Sequence, residues 1–150
     1  MIELWDRETR CAFLDVLLAV WERAVRSTHK FLQEEDILAL RPVVQEALLE
    51  VPRLAVYLEE GKAAGFLGAA GEKIEMLFID VTAQGKGCGR ALVEYAMANW
   101  HSIYVDVNEQ NEQAAGFYRH MGFVVKHRSA LDEQGNPFPV LHLALANGLE

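Results

Sequence analysis

Gln84-Gly85-Lys86-Gly87-Cys88-Gly89-Arg90 lies between an apolar run, Met76-Leu77-Phe78-Ile79, and a helix-like run, Ala91-Leu92-Val93-Glu94-Tyr95-Ala96-Met97. A strand that passes through a Gly-rich, basic turn into a helix presents free backbone N–H groups and the positive end of the helix dipole. That combination suits a phosphate group. Two phosphate motifs nevertheless fail here. A Walker A loop needs Ser or Thr after Gly-Lys to hold magnesium, whereas Gly85-Lys86 is followed by Gly87-Cys88. A dinucleotide GxGxxG turn follows an N-terminal βαβ strand, but Gly85, Gly87 and Gly89 are evenly spaced and come after a meander. On these residues alone the turn stays open between a phosphate cradle and a plain strand-to-helix connection.

Working outward, Ile2 to Trp5 predicts a first strand, and Asp6-Arg7-Glu8-Thr9 starts a helix with acidic residues in its first turn. Phe13, Leu14, Leu17, Leu18, Trp21 and Val25 give that helix one apolar face, ending near Ser27-Thr28-His29. A second helical segment follows from about Glu34, and Pro42 predicts that it is bent or split. Leu54–Leu58 and Ala63–Ala70 flank a Gly-containing turn as a hairpin, and Lys73–Ile79 completes an antiparallel meander that delivers the chain into the Gly-rich loop.

Beyond the loop, a helix from about Gly87 to Trp100 leads to the β-branched and aromatic strand Ser102–Val107. Strand, loop, helix and strand make a crossover, so this strand should run parallel to the one before the loop. Glu112–Met121 reads as a helix stopped by Gly122, and Phe123–Lys126 and Val140–Leu145 as closing strands joined by a turn-rich segment. The expected class is mixed α/β (α+β): a mostly antiparallel sheet of about seven strands with about four helices, in a single domain over residues 1–150.

A hydrophobic fraction of 51% and a charged fraction of 24% argue against a disordered chain. The net charge of −8 argues against nucleic-acid binding and mildly favours a cationic partner. Cys11 and Cys88 are far apart with no metal-ligand spacing near them, so neither a disulfide framework nor a metal site is expected. The N-terminus lacks the pattern of a signal peptide and no apolar run reaches membrane-spanning length, which predicts a soluble, cytoplasmic protein with no membrane partner.

A second motif decides the loop's reading. Asn108-Glu109-Gln110-Asn111-Glu112-Gln113-Ala114-Ala115-Gly116-Phe117-Tyr118-Arg119-His120-Met121-Gly122-Phe123 follows Gln84-x-x-Gly87-x-Gly89 at a distance. Together they resemble the GCN5-related N-acetyltransferase (GNAT) family, with its Q/RxxGxG loop and NxxAxxFYxxxGF segment. The likeness covers the whole chain, and Thr28-His29-Lys30-Phe31-Leu32 with Val107–Asn111 resembles a subgroup of small bacterial members. It implies the GNAT fold, with the parallel pair splayed at the coenzyme site.

The resemblance also implies acetyl-CoA as donor. Its pyrophosphate would lie on Gln84, Gly85, Lys86, Gly87, Cys88, Gly89 and Arg90, and its pantetheine arm and thioester carbonyl along the backbone of Leu77, Phe78 and Ile79. Asn111 matches a coenzyme-contacting Asn, and Tyr118 the tyrosine near the sulfur, suited to protonate the departing thiolate. For the base that frees the amine, Asp106 and Glu75 are candidates, with His29 a third. Trp5, Trp21, Phe31 and Trp100 are expected core aromatics, and His29 and Phe31 would border the acceptor pocket. The acceptor stays open between a small amine and a protein lysine or N-terminus, and the oligomeric state between monomer and homodimer. A catalytically silent acyl-CoA-binding sensor or partner module is the competing reading, against which intact Tyr118 counts. Val81, where the family commonly has Pro, leaves open the angle at which the chain enters the loop.

Overall fold

The computed structural model describes residues 1–146, so the last four positions of the expected domain lie outside the described residues. Strand β1 (Ile2–Leu4) leads to α1 (Arg7–Ala12), α2 (Leu14–Thr28) and α3 (Glu34–Glu50). The meander β2 (Arg53–Glu59), β3 (Lys62–Ala70) and β4 (Lys73–Ile79) follows, then α4 (Cys88–Trp100), β5 (Tyr104–Asn108), α5 (Glu112–His120), β6 (Phe123–Ser129) and β7 (Val140–Leu145). One seven-stranded sheet holds them in the order β1-β2-β3-β4-β5-β7-β6. All pairings are antiparallel except β4 with β5, the parallel pair that the crossover predicts.

Two helical expectations change. Instead of one helix before His29 there are two, so the described residues form five α-helices where about four are expected. Asp6 caps α1 by accepting the Thr9 N–H at 2.9 Å, and Phe13 then leaves helical geometry, its ring 5.5 Å from that of Trp5. The break seats an aromatic on an aromatic at the cost of one turn of helix. The split expected at Pro42 is absent, because α3 runs unbroken from Glu34 to Glu50. Proline withdraws the N–H that would bond to the Leu38 carbonyl, but Pro42 and Leu38 are both exposed, so water can take that acceptor.

Apolar residues divide over the two sheet faces. On one, Trp21, Leu17, Ile37 and Leu48 of α2 and α3 pack on Val56, Phe66 and Phe78. Leu92, Val93 and Ala96 of α4, with Ala115 and Tyr118 of α5, cover the other face over Leu67, Ile74, Val105, Val107 and Leu143. Arg10, buried, ties α1 to both neighbours by donating to the carbonyls of Trp5, Leu48 and Val51. The last two are orphan acceptors at the end of α3, which a buried chain must satisfy with a side chain. Of the expected core aromatics, Trp5 and Trp21 are buried, while Phe31 and Trp100 are half-buried.

Gly65 sits where β3, β4 and α4 crowd together. A Cβ there would meet Ile79 Cδ1 at 2.7 Å, the Phe78 carbonyl oxygen at 3.0 Å and Cys88 Sγ at 3.1 Å. At Gly68 the closest atoms are instead Cγ and Sδ of the flexible Met76, at 2.7 and 3.1 Å. Gly65→Ala is expected to cost about 1–3 kcal/mol of unfolding free energy, and Gly68→Ala distinctly less, because a methionine can move and a strand carbonyl cannot. Urea unfolding midpoints at constant slope check the ranking.

Candidate active site

β4 and β5 are paired only at Lys73↔Tyr104 and Ile74↔Val105, after which they part. β4 remains bonded to β3 as far as Ile79, so the other backbone edge of Leu77–Ile79 faces the gap. A cleft of about 430 Å³ fills it. Ala24, Thr28 and His29 line it from the α2 side of the sheet, and Gly89, Phe117 and Tyr118 from the α4 and α5 side. The cleft therefore runs through the sheet, and two ligands can meet in it from opposite faces.

The loop end of the cleft is set by the chain leaving β4. Asp80, buried, accepts from the Thr82 backbone N–H and hydroxyl, both at 3.3 Å, and from the Arg23 guanidinium, starting a short 3₁₀ turn at Val81–Ala83. Burial raises the Asp80 pKa, but the bonds from Arg23 and Thr82 outweigh it and hold the carboxyl below its usual range. This clamp directs the chain into the loop without the proline common in the family. Gly87 then caps α4 at φ 83°, a left-handed conformation that favours glycine, and Gly85 lies at φ 77°. A Cβ on either would meet nothing within 4 Å, so both leave open approach to the main chain. The first intrahelical bond of α4 is Ala91 N–H to the Gly87 carbonyl, which leaves the preceding N–H groups of the turn for an anion. These residues fit a coenzyme pyrophosphate.

All the residues expected at the coenzyme line the cleft except Lys86, which is exposed beside it. Arg90 bonds Glu94 at 3.1 Å, so part of its charge is already engaged. Cys88 is buried, and desolvation followed by the charge of Glu59 pushes its thiol up to about 11. It is an un-ionised small side chain and not an activated thiolate. Tyr118 is 5% exposed, edge-on to both Phe117 and Phe123, and burial pushes its phenol above the ordinary range. A phenol held in its protonated form can donate.

Asn111 joins the two faces. Its Oδ1 accepts the Ala114 N–H at 3.1 Å as the N-cap of α5, which turns Nδ2 toward His29 Nε2 at 3.3 Å. An amide NH₂ only donates, so Nε2 carries the lone pair and Nδ1 the hydrogen. That hydrogen goes to Thr28 Oγ1 at 2.8 Å, whose own hydroxyl donates to the Ala24 carbonyl. Burial pushes the His29 pKa down to about 4. The sequence offered no sign of this link between residues 82 positions apart.

The other expected acceptor-side residues lie outside the cleft lining. Phe31 stands between the rings of His29 and Phe138, at 5.5 and 5.9 Å, and so bridges the α2–α3 and β6–β7 connections. Asp106 points away from the coenzyme face, because its neighbours Val105 and Val107 point into the core beneath α4 and α5. Burial raises its pKa, yet hydrogen bonds from Lys73 and His142 hold the carboxyl below the usual range, so it is not poised as a free base. Glu75 is exposed and lies near Lys73. Ser129 and His142, which complete this cluster, are residues that the sequence reading did not single out.

Fold and cleft together define a coenzyme-A-dependent acyltransferase. Residues 51–125 match the acetyltransferase (GNAT) domain family, and the chain belongs to it. It is 42% identical over 128 residues to peptidyl-lysine N-acetyltransferase YjaB of Escherichia coli K12, covering 85% of this chain and 87% of that protein. The solution structure of the apo form of Escherichia coli YjaB superimposes with a TM-score of 0.85 at 39% identity, covering 97% of this chain and 98% of that one. These matches support the YjaB-like subgroup. An N-acetyltransferase, PaiA of Thermoplasma acidophilum in complex with coenzyme A, shares the fold at a TM-score of 0.69 and 19% identity, over 95% of this chain and 98% of that one. The protein is an acetyl-CoA-dependent N-acetyltransferase. No helix among the described residues is long and apolar enough to cross a membrane.

Two expectations follow. Gly87→Ala strains a left-handed residue by about 1–2 kcal/mol while placing a methyl where phosphate approaches, so acetyl-CoA affinity should fall more than stability does. Calorimetric titration beside thermal unfolding separates the two effects. For His29, the folded pKa lies below the ordinary 6.5, so the unfolded chain binds more protons as pH falls. This contribution, up to about 3 kcal/mol, is complete above about pH 6.5 and lost as pH falls through 4. A His29→Asn protein should show a flatter stability profile across that window.

Proposed function

We propose that the protein acetylates the ε-amino group of lysine residues by direct attack of the neutral amine on the thioester in a ternary complex. The through-sheet cleft carries this reading: Gly85–Arg90 without Lys86, and Tyr118, line it toward α4 and α5, and Ala24, Thr28 and His29 line it from the α2 side. The name of the 42% identical relative, a peptidyl-lysine N-acetyltransferase, supports lysine over a small amine as acceptor. Acetyl-CoA supplies the activated acyl group. The protein's contribution is binding, orientation and proton management.

In this reading Gly85–Arg90 and the start of α4 hold the pyrophosphate, and Asn111 fixes the start of α5 beside the coenzyme. Backbone N–H groups along Leu77–Ile79 hold the carbonyl oxygen, where donors fixed in advance stabilise growing negative charge. Tyr118 donates its phenolic proton to the departing sulfur. An alkylammonium near pKa 10.4 must first lose a proton, at a cost of about 4–5 kcal/mol at pH 7 in free solution, so a proton acceptor is needed on the open face. The same reading places residues 1–150 as one domain, working in the cytoplasm as a monomer or homodimer.

A thiol-release assay with acetyl-CoA over lysine peptides and small amines tests the proposal; tight coenzyme binding without acceptor-stimulated release would point instead to a silent binding module. Tyr118→Phe should lower kcat about 100-fold while leaving acetyl-CoA affinity within about twofold, since only the proton is removed. Full turnover in that variant would remove Tyr118 from the donor role.

A further inference from the structure

His29 ends α2, Asn111 begins α5, and both line the cleft. The hydrogens in the contact between them are set from two sides. The Ala114 backbone N–H can only donate, so the Asn111 atom that meets it is Oδ1, and the amide Nδ2 is left to face His29 Nε2 at 3.3 Å. From the other side, the Thr28 hydroxyl spends its hydrogen on the Ala24 carbonyl and therefore accepts at His29 Nδ1, 2.8 Å away. Both routes give one tautomer, with the hydrogen on Nδ1 and the lone pair on Nε2.

The imidazole is the anchored partner. Its backbone N–H closes α2 on the Val25 carbonyl at 2.8 Å, and its ring lies near those of Phe31 and Phe78, with centroids 5.5 and 6.5 Å away. Helix α5 has only nine residues and leans on its cap. Asn111 is 6% exposed, and His29 is the one hydrogen-bond partner of its Nδ2 among the described residues. A buried amide donor stripped of its partner is costly, so loss of Nε2 would turn the amide and draw Oδ1 off the cap. Tyr118 lies two turns and about 10 Å along α5, on the helix face it shares with Asn111 and Ala114, and all three line the cleft. A shift at the start of α5 therefore moves the phenol.

We propose that His29 is a positioning residue for acetyl transfer: by offering Nε2 to Asn111 it fixes the start of α5, and with it the aim of Tyr118 into the cleft. Nothing in this role requires the imidazole to meet the amine. A base role at Nε2 and this one exclude each other, since a proton there sets donor against donor and opens the contact. Burial, which keeps the imidazole neutral, favours the positioning role. The inference rests on the reading of Tyr118 as proton donor.

Two measurements test it. Imidazole ¹⁵N NMR, with His29 assigned by the signals missing from His29→Gln, should show the hydrogen on Nδ1. Asn111→Asp keeps one oxygen for the cap and turns the other on Nε2, so His29 should then titrate above about 6.5 and not near 4. Turnover is read with acetyl-CoA and a lysine peptide or small alkylamine, whichever the wild type acetylates. His29→Leu should lose about 10-fold in kcat with acetyl-CoA affinity within about threefold, and His29→Gln, which keeps an acceptor oxygen, should recover most of that loss. In a Tyr118→Phe background His29→Leu should cost less than about twofold, because the group it positions is gone. An Nε2–H tautomer, an unmoved His29 titration in Asn111→Asp, no loss in His29→Leu, equal losses in His29→Leu and His29→Gln, or an undiminished loss in the Tyr118→Phe background overturns the inference. Full turnover in Tyr118→Phe alone overturns instead the donor reading on which it rests.

Discussion

The structure depends on a parallel strand pair that lasts for two residues. A strand inside a sheet normally spends both backbone edges on its neighbours. β4 spends one on β3 throughout its length, and the other on β5 only at its start. What remains is an edge inside the sheet, walled by α2 on one side and by α4 and α5 on the other. Exposed edges invite unwanted strand pairing, and this one is shielded by its helices. In the proposed reading, the same shielding gives a linear thioester ligand a backbone surface to run along.

Much of the rest can be understood as holding that gap open. Cross-strand packing of Phe66 on Phe78 fixes β4 to β3, while the Arg23–Asp80 pair governs where the chain turns off β4. On the opposite bank, Asn111 caps α5 and reaches His29 at the end of α2. A single side chain thus positions the helix that carries Tyr118 and bonds across the cleft to the element bordering the acceptor side. The imidazole serves this link as an acceptor because burial keeps it neutral.

The glycine-loop side of the cleft was legible in sequence because its residues are close in the chain and constrained by backbone geometry. Gly85, Gly87 and Gly89 announce a main-chain surface, and Asn111 caps the short helix that carries Tyr118. The acceptor half was less legible. Asp106 reads in sequence as a candidate base; its partners come from β4 and β7, and β7 enters the sheet between β5 and β6, out of chain order. Only the register makes Asp106 and His142 neighbours. The break at Phe13 and the continuity through Pro42 were hidden for another reason, since each turns on tertiary contact or exposure and not on local propensity.

The un-ionised state of Cys88 bears on chemical selectivity. A thiolate lining the same cleft as an acyl thioester would compete with the amine, since sulfur exchange transfers the acyl group readily and would leave the protein itself acylated. Desolvation at the start of α4 removes that competitor without removing the side chain, overriding the helix end that would otherwise favour the anion. The cysteine fills space against Gly65, and the nitrogen nucleophile meets no rival thiolate at this position.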